Sequence, residues 1–116
     1  MQRHHVSDSA RSILLQTKTD FPPGPEDAHK LHRAMIALSE YCIEWGQTQI
    51  AADTLAFLLL RGNIDPDSFM RADELFADLE SRICPRVILD AREFAADMDL
   101  LSMLEYLLDL APRQQN

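Results

Sequence analysis

Apolar residues recur along the chain at intervals of three and four, and no segment alternates convincingly at period two. Val6, Ala10, Ile13 and Leu14 follow the capping side chains of Ser7, Asp8 and Ser9, which predicts a short helix near 8–18 after a frayed start at 1–5. Asp20 to Pro25 is proline-rich; proline removes a backbone donor and biases its predecessor to extended geometry, so this stretch reads as a stiff linker. From Glu26 to Trp45, Leu31, Met35, Leu38, Cys42 and Trp45 form one stripe, the pattern of an amphipathic helix ended by Gly46. Thr48 to Arg61 is apolar nearly all round, apart from Asp53 and Thr54. A helix of that kind must be buried on most sides, so it is expected at the centre, stopped by Gly62 and Asn63.

Asp65 followed by Pro66 is an N-cap with proline in the first turn. Phe69, Ala72, Phe76, Leu79 and Ile83 then mark the inner face of a fourth helix. Pro85 opens a fifth, to about 97, with Ile88, Ala91 and Ala95 inward, and Asp99 caps a sixth from Leu100 to Leu110, closed by Pro112. The expectation is an all-α protein of about six helices: stacked helical hairpins, as in a solenoid fragment, or a small bundle. The length of 116 residues fits one domain, with 1–25 as a short helix plus linker and 26–111 as the helical core.

Met35, Leu38 and the small Ser39, then Gly46 at the turn, then Ala51 and Leu55, follow one another in the order of a tetratricopeptide-type hairpin, and the pair 31–61 resembles one. Cys42 stands where an aromatic is usual, Leu58 where a small residue is usual, and the closing proline arrives late, as Pro66. Arg71, Ala72, Leu75, Leu79, Pro85, Ala91, Arg92, Asp99 and Leu100 carry a second resemblance. Through them residues 51–108 are similar to the terminal segment of the helical-repeat regions of large bacterial signalling ATPases and transcription regulators. What this implies is an α-solenoid end that binds proteins; the ATPase part is absent, and with it any inference of ATP binding.

Charge narrows the partners. The formal net charge is −8, which disfavours direct contact with nucleic acid or an anionic membrane surface. The acid is concentrated in residues 65–109, with twelve carboxylates against Arg71, Arg82, Arg86 and Arg92. No apolar run is long enough to span a membrane, and residues 1–16 lack the pattern of a signal peptide. Cys42 and Cys84 stand far apart with no CxxC, so both are expected as reduced, packed thiols in a cytoplasmic protein.

Candidate chemistry is sparse. Glu26, His29 and His32 share a spacing that could gather on one helix face, yet a metal site wants three or four convergent ligands. Solvated histidines on a polar first turn are the expectation, and His4 and His5 read as a flexible terminal pair. No phosphate-binding loop, zincin motif or nucleophile elbow occurs. The carboxylates are expected on solvated faces, with Asp78–Arg82 attractive and Glu74–Asp78 repulsive. Neither an enzyme, a cofactor nor a metal is expected.

The sixth helix is more informative. Ser102, Glu105 and Asp109 cluster, and the remaining, mostly leucine positions sweep an arc of about 220°, where one packing neighbour needs little over 100°. Solenoid ends normally carry a polar outer face. The surplus is covered either by residues 1–20 folding back or by another chain. Leu101, Leu104 and Leu108 form the flank expected to face the core. Met103, Tyr106 and Leu110, with Leu107 at the seam, form the flank expected to contact a partner protein or a second copy, because Met and Tyr are enriched at interfaces. The leading expectation is a protein-interaction module, such as an adaptor, chaperone or small subunit of a complex. The alternative is an acidic decoy or inhibitor that presents residues 65–109 to a basic nucleic-acid-binding protein.

Overall fold

The computed structural model describes residues 2–61 and 63–110, with side chains from residue 8 onward. It contains six helices: α1 (Gln2–Thr19), α2 (Pro25–Glu44), α3 (Thr48–Leu60), α4 (Pro66–Arg82), α5 (Pro85–Ala96) and α6 (Leu100–Leu110). The fold is all-α, as the periodicity requires, and no strand occurs among the described residues.

The breaks fall where local chemistry puts them. Asp65 accepts the Ser68 amide at 3.1 Å and caps α4, with Pro66 in its first turn. Asp99 accepts the Ser102 amide at 2.8 Å and does the same for α6. Gly46 adopts φ of +78°, a left-handed conformation that favours glycine, and reverses the chain between α2 and α3. Pro25 is the first residue of α2 rather than the last of the linker. The N-terminal helix is longer than the 8–18 expected: with no glycine or proline before Pro22, nothing stops α1 from extending upstream through Ser7, Asp8 and Ser9 to Gln2. The closing role expected of Pro112, and the part of Gly62 in stopping α3, lie outside the described residues.

α3 is the centre of the molecule. Every residue from Ile50 to Leu58 is buried, because α2, α4, α5 and α6 all pack against this one helix. Its two polar interruptions are satisfied: the Thr54 hydroxyl donates to the Ile50 carbonyl at 2.8 Å, and Asp53 accepts two side-chain bonds. α1 lies against α2 and α6. Arg11 donates to the Leu108 carbonyl at 2.5 Å, and Lys18 approaches Glu105 at 3.7 Å. Residues of the first helix therefore do fold back onto the last one. A Cα radius of gyration of 13.1 Å is the size a compact chain of this length adopts.

Some faces differ from expectation. Trp45, placed on the inner stripe of α2, is 56% exposed. The helix ends one residue earlier, and the turn at Gly46 carries the ring off the stripe to lie on Tyr41, centroids 5.9 Å apart. Phe69 is exposed: it stands in the first turn of α4, just past the edge of the buried stripe that runs through Ser68, Ala72, Phe76 and Leu79. Ile83 has left the helix as its C-cap and is half-buried. Cys84, expected as packed, is exposed just before Pro85, whereas Cys42 is buried; both thiols are free.

Candidate functional site

The terminal helix does not present the face expected of it. Leu100, Met103, Leu104 and Leu107 are buried, and they fall within an arc of about 100° on the helical wheel. This is the ordinary width of a core stripe. Met103 and Leu107 therefore pack inside their own chain and are not open to another. Leu110 is 57% exposed, and Leu101, assigned to the core flank, is exposed as well. Leu104 is core as expected, and Leu108 is half-buried against α1. Part of the apolar surplus on α6 is taken up by α1 and α3.

Tyr106 also turns inward. It is half-buried, its ring lies 4.7 Å from that of Phe94, and its hydroxyl donates to Asp53 at 2.5 Å. Gln49 donates to the other oxygen of Asp53 at 2.8 Å and reaches the Val87 carbonyl at 3.4 Å. Burial raises the Asp53 carboxyl above the usual range, against the pull of the Tyr106 and Gln49 bonds, and Asp90 adds to the rise. The Tyr106 phenol is raised too, by burial first and then by the carboxylate beside it. This polar cluster joins α3, α5 and α6 inside the protein. One signal for it was available: Asp53 is the lone carboxylate in a helix otherwise apolar, and a buried acid needs a partner.

A second buried polar group was missed. His32 is 2% exposed rather than solvated, because α1, α3 and α4 all pack against α2. His29 and Glu26, by contrast, are exposed, so the three do not converge. Among the described residues, no three His, Cys, Asp or Glu side chains gather as a metal ion requires.

Part of the exposed apolar surface lies at one end of the bundle, the rest, such as Trp45, Leu89 and Leu110, elsewhere. α3 and α5 run side by side in the same direction: Gln49 meets Val87 near their starts, while Phe57 and Leu60 line a groove with Ala95, Ala96 and Met98 near their ends. The groove measures about 710 Å³, and Arg61 and Asn63 complete its wall. Arg61 stacks on Phe57, its guanidinium carbon 5.4 Å from the ring centroid. Leu60 is 61% exposed at the rim. The short connections 61–65 and 97–99 keep the first turns of α4 and α6 at this same end, where Phe69, Met70 and Leu101 are exposed.

The charged surface is organised differently. Each of the four arginines of residues 65–109 meets an acid of its own chain. Arg71 pairs with Glu40 and with Glu74, Arg82 with Asp78 at 2.7 Å, Arg86 with Asp90 at 3.1 Å, and Arg92 with Glu80 at 2.9 Å. The exposed Asp67, Asp73, Glu93 and Asp97 remain as a net acidic excess on α4 and around α5. No helix among the described residues is long and apolar enough to cross a membrane. In comparisons with known proteins, the chain matches no family model, no curated protein and no solved structure.

Proposed function

We propose that this chain is a protein-binding module, an adaptor or small subunit of a complex, that docks a partner at the end of the bundle where α3 and α5 leave their groove. The observation that carries the reading is the groove itself, a recess of about 710 Å³ with mixed apolar and polar walls, Leu60 at its rim and a single arginine in its wall. Exposed apolar side chains gathered around a recess are the feature that marks interaction surfaces, whereas isolated ones are ordinary. The docking face is thus moved from the sixth helix, whose Met103 and Leu107 are interior, to a surface built from two helices.

Leu60→Glu tests it, with Leu89→Glu on the exposed face of α5 as the control. Both variants should keep the helical signal and the thermal midpoint within a few degrees. In capture from native lysate, Leu60→Glu should lose the partner that wild type and Leu89→Glu retain. Retention by all three would place the docking surface elsewhere.

The second reading, an acidic decoy for a basic nucleic-acid-binding protein, is favoured by one observation: the arginines of residues 65–109 are already paired internally, leaving the excess acid outward. Under that reading, raising salt past the range where the Debye length falls to about 8 Å should strip the partner, and Leu60→Glu should not.

A further inference from the structure

We propose that what docks in the groove between α3 and α5 is a basic amphipathic helix of another protein. Its apolar side chains meet Leu60 and Met98, and its lysines or arginines lie over Asp97 and the ends of the two helices. The inference rests on the docking surface proposed above and adds the chemistry of its occupant.

The form of that occupant follows from the walls. Helices build both sides of the groove, and a helix bonds its backbone N–H and C=O groups along its own length. No strand edge occurs among the described residues. An extended peptide would therefore find no ladder to join and would leave its own backbone groups unpaired against the wall. A helical segment pairs its backbone internally and offers side chains alone, which is what a recess between helices accepts. The walls are also divided. Leu60 is 61% exposed, Ala96 is exposed and Met98 half-buried, while Arg61 and Asn63 bring polar groups to the same recess. A segment apolar on one side and polar on the other matches that division.

The sign of the occupant follows from charge. α3 and α5 run in the same direction, so both end at the groove. Each helix C-terminus carries about half a negative charge from its aligned peptide dipoles. Neither helix has a basic residue in its last turn. Asp97, the C-cap of α5, is exposed between Ala96 and Met98, and Glu93 is exposed one turn earlier. Both acids add to the negative end instead of offsetting it.

α4 and α6 bring their positive N-termini to this end, but each is met by its own aspartate. Asp65 accepts the Ser68 amide and Asp99 accepts the Ser102 amide, so those two carboxylates are engaged at helix starts. Asp97 has no helix start to meet. Among the described residues lining the groove, Arg61 alone is cationic, and its guanidinium lies over the Phe57 ring. One cation against two helix ends, Asp97 and Glu93 leaves a negative field at the recess, and such a field draws lysine and arginine.

Three synthetic helical peptides test this at a salt concentration of about 0.15 M, where only charges within about 8 Å still act strongly. One carries a leucine face and a lysine face, the second replaces its lysines with glutamates, and the third replaces its leucines with serines. Fluorescence anisotropy gives the affinities, and amide NMR shifts give the location. The leucine–lysine peptide should shift residues 58–61 and 95–98 and bind at least about tenfold more tightly than either other peptide, a factor that two well-formed exposed ion pairs supply. Asp97→Lys should weaken it about fivefold. Leu60→Glu should abolish it despite adding negative charge, which separates apolar contact from attraction by charge. Equal binding of the lysine and glutamate peptides at the groove would overturn the basic partner and leave the docking surface standing. Equal binding of the serine-faced peptide, or shifts centred on the acids Asp73 and Glu74 of α4, would overturn the amphipathic one. If no peptide shifts the groove amides the inference falls, while the docking surface is judged separately by capture with Leu60→Glu.

Discussion

Asp53 and Tyr106 show how a single buried group sets its neighbour's role. The carboxylate is 5% exposed and depends on two donors, the Tyr106 hydroxyl at 2.5 Å and the Gln49 amide at 2.8 Å. Tyr106→Phe leaves the ring in place against Phe94 and removes one donor, so it should cost about 1–3 kcal/mol in urea unfolding at pH 7, the range for a buried acceptor left short. Asp53→Asn should act through pH. The folded carboxyl titrates above its ordinary 3.8, so its contribution to stability is complete below that value and is lost as pH rises through the folded pKa. Unfolding free energies of wild type and Asp53→Asn, measured from pH 3.5 to 7, should therefore diverge upward in favour of the variant. The acid was visible in the sequence as an exception in an apolar helix. Its partner was not, because Tyr106 lies 53 residues away and only the fold brings the two together.

At the scale of the helix, boundaries were more legible than faces. Pro66, Pro85, Gly46 and the two aspartate caps act on their own neighbours, so α3 to α6 begin and end close to where local chemistry sets them. The central place of α3 was readable for a related reason: a helix apolar on every side has no face to offer water. The face of α6 was not readable. Most of its positions are apolar, so the buried arc is chosen by the neighbours, and α1 supplies one that the expected short helix did not guarantee. Two substitutions separate the faces. Met103→Glu puts a carboxylate into the core and should abolish cooperative unfolding, since an unpaired buried charge costs several kcal/mol, about as much as a small domain has. Leu110→Glu, at an exposed position, should stay within about 0.5 kcal/mol of wild type in the same urea titration. Equal damage from both would restore the wider interior arc.

For the whole molecule, the organising fact is that α2, α4, α5 and α6 pack on α3 while α1 lies across α2 and α6. Side-chain links reinforce the arrangement between helices: Glu40 with Arg71 across α2 and α4, Glu80 with Arg92 across α4 and α5, and Lys18 with Glu105 across α1 and α6. These pairs are exposed, and each adds little to stability. Their effect is on the surface that remains, because internal pairing engages the arginines of residues 65–109 and leaves acid outward, while part of the exposed apolar surface sits at one end of the bundle. Neither feature belongs to one helix. The groove needs Leu60 and Met98, which are far apart in sequence and are joined only because α3 and α5 run in the same direction. A reading of one helix at a time finds amphipathic stripes and misses a recess shared by two.

The two thiols give the molecule a clock. Cys84 is open to solvent, while Cys42 is sealed and burial pushes it up to about 12, so it carries almost no thiolate near neutrality. A thiol reagent in excess should consume one equivalent per chain in seconds to minutes. The second should follow slowly, at a rate independent of reagent concentration once each opening ends in capture. That delay times how often the interior around α2 breathes. Two equivalents consumed at once would show that the interior holds no such gate.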